Sequence, residues 1–136
     1  MRIVILGSGR VGTRLANGLV DQGHTILVVD EKVRKFKPLK EHPDIHRIHG
    51  NIMDEKVSDA TFSQITDVFV VVTGSDNVNV MAAQAMYKKY QIKRVLVRIF
   101  DPDIAEVYKT LGLEVVCPTN YAVTALNDIL KQKGRS

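Results

Sequence analysis

Residues 2–30 constrain the fold of this chain more than any other stretch. Arg2-Ile-Val-Ile-Leu6 is an apolar strand, Gly7-Ser8-Gly9-Arg10-Val11-Gly12 a glycine-rich turn, and an amphipathic run follows to about Asp21. Thr25-Ile-Leu-Val-Val-Asp30 is then a second apolar strand with an acidic tip. In this order the four pieces make one βαβ unit that carries the G-x-G-x-x-G pattern. Gly7 serves the tight turn, Gly9 the close approach of backbone to a pyrophosphate, and Gly12 the packing of helix on strand. The helix that begins here aims free N–H groups and the positive end of its dipole into the turn, so the turn prefers an anion. Asp30 follows the last glycine at close to the ~20-residue interval at which a carboxylate meets ribose hydroxyls. Glycines also mark ordinary turns. The flanking strands and the interval to Asp30 are what make this pattern a nucleotide site.

The remaining sequence keeps alternating strand and helix. Val11, Leu15, Leu19 and Val20 form one stripe of the first helix. Glu31 to Lys40 reads as a short helix with Val33, Phe36 and Leu39 as its apolar seam. Asp44 to His49 is a third strand, and Val57 to Phe62 a short helix. Asp67 to Thr73 is apolar on both faces and therefore a central parallel strand. Ser75 or Asp76 caps the next helix, whose packed face reads Val78, Met81, Ala82, Ala85 and Met86. Arg94 to Ile99 is a fifth strand, Pro102 to Leu111 a helix and Glu114 to Cys117 a sixth strand. A last helix starts at Pro118 with Ala122, Val123, Leu126, Ile129 and Leu130 apolar. The pattern predicts a three-layer α/β Rossmann-like doubly wound parallel sheet with strand order 3-2-1-4-5-6. Thr73 and Gly74 then lie just past the strand at the reversal of strand order, where open sheets bind ligands. Asn51 sits at the end of strand three, beside adenine or its ribose.

Composition narrows the class. The chain has 136 residues, 45% of them hydrophobic, which suits one domain over residues 1–136. No apolar run approaches the ~20 residues of a membrane span and no signal peptide precedes strand one, so a cytoplasmic protein that is not itself membrane-embedded is expected. A single cysteine, Cys117, forms no internal disulfide and reads as a core thiol. Net charge is +4. The basic segment of Lys32, Arg34, Lys35, Lys37 and Lys40 suits a 2′-phosphate, nucleic acid or anionic lipid, but with Glu31 and Glu41 flanking it and few aromatics it reads first as a solvated face. Nucleic-acid binding would rest on charge alone. His46 and His49 fall on opposite faces of their strand, which argues against a metal site with His42. Arg98 places a charge in a central strand and should face an acid such as Asp101 or Asp103, a phosphate, or a subunit boundary.

Taken together, Gly7 to Gly12 with an arginine inside the turn, Asp30, Gly50-Asn51 with Asp54, Thr73-Gly-Ser-Asp-Asn-Val-Asn79, Arg98 with Asp101-Pro102, and the strand into Pro118 resemble the TrkA-type N-terminal nucleotide-binding domain. This domain, also called RCK or KTN, belongs to regulators of potassium transport. The resemblance covers nearly the whole chain. It implies NAD(H) as ligand, with ATP and ADP as further candidates, and a set of contacts: Gly7, Ser8, Gly9, Arg10, Val11 and Gly12 at the phosphates, Asp30 at the ribose, Asn51 and Ile52 at the adenine end, and Thr73, Gly74 and Arg98 at the distal part. The family usually has aspartate in place of Asn51. It also commonly continues into a carboxyl-terminal ligand domain, which is expected to be absent from this chain. The resemblance further implies a homodimer or larger assembly, with the last helix crossing to a neighbour, that controls a membrane potassium transporter or channel from the inner membrane face. The competing reading is the cofactor half of an NAD-dependent oxidoreductase. No substrate domain and no acid–base pair are visible for it, so no catalytic residue is assigned.

Overall fold

The computed structural model describes residues 1–132. Residues 133–136, and with them the end of the domain expected over 1–136, lie outside the described residues. Six strands form one parallel sheet: β1 (Arg2–Leu6), β2 (Thr25–Asp30), β3 (Ile45–His49), β4 (Val68–Val71), β5 (Arg94–Arg98) and β6 (Glu114–Val116). Their order is β3-β2-β1-β4-β5-β6, as the alternation of elements predicts. The helices are α1 (Arg10–Asp21), α2 (Glu55–Thr61), α3 (Asp76–Tyr90), α4 (Pro102–Lys109) and α5 (Pro118–Leu130). None is long and apolar enough to cross a membrane.

Alternation along each strand divides the core in two. Val4, Leu6, Val29, Phe69, Val71 and Val97 face the layer that contains Phe62, which follows α2, with Val80 and Met86 of α3 and Ala105 of α4. Ile3, Ile5, Ile26, Val28, Val70 and Val72 face Ala16 and Val20 of α1, together with Phe36 and Leu39. Because both faces are covered, the strands read as continuous apolar runs. Register aligns their carboxyl ends, Leu6 lying opposite both Val29 and Val71, and the chain leaves β1, β2, β3 and β4 along one edge of the sheet.

Three expected faces are rotated or reduced. In α1 the buried residues are Gly12, Thr13, Ala16 and Val20, whereas Val11 is half exposed. The helix approaches the sheet at its first turn, where Gly12 has no side chain, and that contact sets the rotation. In α3 the buried set is Asn79, Val80, Ala82, Ala83 and Met86, with Val78 and Met81 exposed. The hydrogen bonds of Asn79, described below, turn the helix this way. The segment after β2 makes only one 3₁₀ turn (Val33–Phe36), which buries Phe36 and leaves Val33 outside. Of the two methionines expected on the packed face of α3, Met86 is buried and Met81 is exposed.

Candidate functional site

A cleft of about 520 Å³ crosses the carboxyl ends of β1 to β5. Gly7 and Gly9 form its floor at β1, and Asp30, Glu31, Lys32 and Lys35 the side at β2. Residues 50–53 close the β3 end, and residues 72–75 with Arg98 close the other.

The glycine turn is shaped by contact. Gly7 adopts φ +107°, and a Cβ on it would lie 2.7 Å from the Val72 carbonyl oxygen, so β1 and β4 could not meet here around a larger residue. A Cβ on Gly12 would lie 1.9 Å from the Gly7 carbonyl oxygen and 3.5 Å from the Ile5 side chain. Around a Cβ on Gly9 there is open space. Gly9 is the N-cap of α1 and carries no capping side chain, and no acidic residue occupies the first turn. The leading N–H groups of α1 are therefore left to an incoming anion.

Asp30 is buried behind this turn. Its Oδ2 accepts the Ser8 N–H at 2.9 Å and the Ser8 hydroxyl at 3.0 Å, and its Oδ1 accepts the Lys32 N–H at 2.8 Å. Burial raises the carboxyl pKa. The bonds from Ser8 and Lys32, with the nearby charge of Lys35, outweigh it and hold the group below the usual carboxylate value. A carboxylate offers about four lone-pair positions, so one on Oδ1 remains for a ligand hydroxyl.

At the β3 end, Gly50 donates its N–H to the Asp30 carbonyl, and Asn51 Oδ1 accepts the Met53 N–H at 2.8 Å. Ile52 is buried. At the β4 end, the fully buried Asn79 ties the strand ends together. Its Oδ1 accepts both the N–H and the hydroxyl of Thr73, and its Nδ2 donates to the carbonyls of Thr73 at 3.1 Å and Arg98 at 2.9 Å.

Arg98 does not pair with Asp101 or Asp103, the two acids nearest in sequence. Its guanidinium donates to the carbonyls of Val72 at 3.1 Å and Thr73 at 3.0 Å, and lies 4.6 Å from the ring centre of Phe100. Asp101 is instead the N-cap of α4 and accepts the Asp103 N–H. Carbonyls satisfy hydrogen-bond donors without neutralising charge. Burial accordingly pulls the Arg98 pKa down, while Asp76 acts in the opposite direction. Asp76 itself accepts the N–H groups of Phe100 and Asp101. The Arg98 Nε is buried and has no partner among the described residues.

Of the residues expected at the site, Gly7, Gly9, Asp30, Asn51, Ile52, Thr73, Gly74 and Arg98 line the cleft. Ser8, bonded to Asp30, is not part of the lining, and Gly12 packs against the Gly7 carbonyl. Arg10 and Val11 lie elsewhere, on an outer surface depression with Arg14 and Leu15. Among the described residues no three His, Cys, Asp or Glu side chains gather as a metal site. Asn79 and Asp76 stand in the Thr73–Asn79 stretch that carries the resemblance, but their bonds to the strand ends, like the place of Met53 in the lining, emerge only in the fold. Asn79 carried a signal nonetheless: an asparagine beside Val80 within a helix is unfavourable unless its amide is used.

The TrkA-N domain family matches residues 3–118. The Trk system potassium uptake protein TrkA of Streptomyces coelicolor is 35% identical over 121 residues, which is 89% of this chain and 54% of that protein. The TrkA homolog of Methanothermobacter thermautotrophicus is 30% identical over 131 residues, 96% of this chain and 60% of that protein. The chain thus spans somewhat more than half the length of these relatives. Among solved structures, the TrkA-N domain of the Escherichia coli inner membrane protein YbaL superposes with TM-score 0.83 at 15% identity, covering 96% of each chain. GsuK bound to ADP gives 0.78 at 18% identity over 96% of this chain and 34% of GsuK, and the GsuK channel bound to NAD gives 0.70 at 19% over 85% and 21%. Because the family match spans nearly the whole chain, from β1 to the start of α5, the chain belongs to the TrkA-N domain family.

Proposed function

We propose that this chain binds an adenine dinucleotide, NAD or NADH, as a regulatory ligand, with ADP and ATP as competing ligands of the same cleft. The observation that carries this reading is the meeting of two features in one cleft: the uncapped first turn of α1, which prefers an anion, and Asp30, which keeps an acceptor for a ribose hydroxyl. The likeness to GsuK in its NAD and ADP complexes supports the same ligand class. Asp30 would meet a 2′-phosphate with like charge, so NAD binds more tightly than NADP, with Lys32 and Lys35 at the rim reducing the difference. In this reading Gly7, Gly9 and the first turn of α1 hold the phosphates, Asp30 the ribose, Asn51 and Ile52 the base, and Thr73, Gly74 and Arg98 the far end. Arg10, placed outside the cleft, meets a phosphate only after a change of rotamer.

The relatives named as Trk potassium uptake proteins support a role in regulating a membrane potassium transporter or channel, in the cytoplasm, by a homo-oligomer that responds to the ligand. The protein is not an enzyme in this reading, and NADH should show no turnover with common carbonyl substrates. The test is a thermal-shift panel of NAD, NADH, NADP, ADP and ATP. A ligand at 100 times its Kd stabilises by about 2.7 kcal/mol, a shift of several degrees. No shift with any of the five would overturn the reading, and a larger effect of NADP than of NAD would overturn the preference for unphosphorylated ribose.

A further inference from the structure

The basic run that follows β2 joins a wider face in the fold. α1 and the segment from residue 31 to residue 44 both leave the carboxyl ends of the strands and return to their amino ends, covering the same side of the sheet. Asn17 fixes how they lie against each other. Its Nδ2 donates to the Pro38 carbonyl at 3.1 Å, its Oδ1 accepts the Lys40 N–H at 2.9 Å, and Asp21 pairs with the Lys40 ammonium. On a helix, positions 10, 14, 17 and 21 form one row. Arg10 and Arg14 therefore continue that row towards the cleft, alongside Lys32, Arg34, Lys35 and Lys37.

This face gathers positive charge without matching acids. All of these cations are exposed, and none makes a salt bridge among the described residues. Asp21 is the only acid of α1 and is taken by Lys40, and the chain has no acid from Lys32 to Lys40. Glu31 and Glu41 flank the run in sequence, which is why it reads as a solvated face. In the fold Glu41 pairs with Arg47 of β3 at 3.1 Å, and Asp30 is buried behind the glycine turn, so Glu31 alone is left at the rim.

Apolar side chains stand among the cations. Val11, 49% exposed, lines the same surface depression as Arg10 and Arg14, and Val33, 57% exposed, sits between Lys32 and Arg34. Phe36, the one aromatic of the two segments, is buried, so no ring is offered for stacking on bases. A phosphate backbone gives valines nothing to contact. A bilayer does, because apolar side chains enter the headgroup boundary beneath the cations that hold the headgroups. We propose that this face docks on the anionic lipid headgroups of a bilayer, with the arginines and lysines at the phosphates and Val11 and Val33 below them. The face meets the nucleotide cleft only at Lys32 and Lys35, so lipid docking stands independently of the nucleotide reading.

Sedimentation with vesicles, in the absence of nucleotide, tests this. The protein should bind vesicles of phosphatidylcholine mixed with phosphatidylserine, bind pure phosphatidylcholine far less, and dissociate as salt rises. One cation near an anionic surface changes partitioning about fivefold, so Arg14→Ala combined with Arg34→Ala and Lys37→Ala should weaken it about a hundredfold. These side chains make no hydrogen bond among the described residues, and the thermal midpoint should stay near wild type. Lys56→Ala with Lys88→Ala and Lys109→Ala removes the same charge from α2, α3 and α4, on the other side of the sheet, and should have a much smaller effect. Equal loss in the two triple variants would reduce the effect to net charge and overturn the inference. Failure to bind the phosphatidylserine vesicles would overturn it as well, and capture of a random-sequence DNA duplex in their place would assign the face to nucleic acid.

Discussion

Asp30 shows how one carboxylate serves the fold before it serves a ligand. Three donors from Ser8 and Lys32 hold it, and its folded pKa lies below the ordinary value of about 3.9. A group depressed in this way stabilises the fold fully above its unfolded pKa and loses that contribution as pH falls through the folded one. Asp30→Asn should therefore cost about 1–3 kcal/mol at neutral pH, with the difference from wild type shrinking below about pH 4. Denaturant unfolding across pH measures this, and a gap constant down to pH 2 would contradict it. The glycines separate by the same kind of reasoning. Gly12→Ala puts a methyl against the Gly7 carbonyl, a backbone atom fixed by the turn, and should cost about 3 kcal/mol or more. Gly9→Ala meets open space, so its unfolding midpoint should stay near wild type while its thermal shift with NAD falls. Equal destabilisation by the two substitutions would show that the turn is not shaped as described.

Among the elements, α3 does most to hold the far side of the cleft. Ser75 caps it, accepting the Val78 N–H, and Asn79 one turn later bonds to Thr73 and to the end of β5. Asp76 on the same turn holds the loop after β5 through the N–H groups of Phe100 and Asp101. That loop in turn receives the hydroxyl of Thr119 on the Phe100 carbonyl at 2.8 Å, so the cleft wall and the first turn of α5 are linked by hydrogen bonds. Asn79→Ala leaves the Thr73 N–H and the Arg98 carbonyl without these partners in a buried place, and should cost about 2–4 kcal/mol. The free energy from denaturant unfolding decides this, and a loss below about 1 kcal/mol would mean that water or a shifted Thr73 replaces the amide.

At the scale of the whole molecule, α5 stands apart. It buries none of its residues, and Tyr121, Val123, Leu126, Ile129 and Leu130 are all exposed. Scattered apolar side chains are ordinary on a surface, but a full helix face of them marks an interface. Under the regulatory reading this face joins copies of the chain, and a ligand acts through its different affinity for two arrangements of them. Light scattering at tens of micromolar should report a dimer or larger. Leu126→Asp combined with Leu130→Asp should weaken that assembly while leaving the thermal shift with NAD in place. A monomeric wild type would remove the assembly from the mechanism.

The strands and their order were legible in the sequence because a strand covered on both faces must be apolar at nearly every position, and because a glycine turn opening a helix admits one kind of βαβ unit. The cleft followed from the order, since aligned carboxyl ends bring residues 7–9, 30, 51 and 73–74 to one edge. Helix rotation was not legible. Periodicity weighed Val11 and Met81 by their hydrophobicity, whereas the contacts that decide rotation involve Gly12, which has no side chain, and Asn79, which is polar. Nor was the environment of Arg98, because its carbonyl partners at Val72 and Thr73 exist as a pair only once β4 ends beside β5. A sequence states which residues seek burial. Which atoms they meet, and therefore which donors and acceptors are left for a ligand, is settled by the surface across the interface, and that surface exists only in the folded chain.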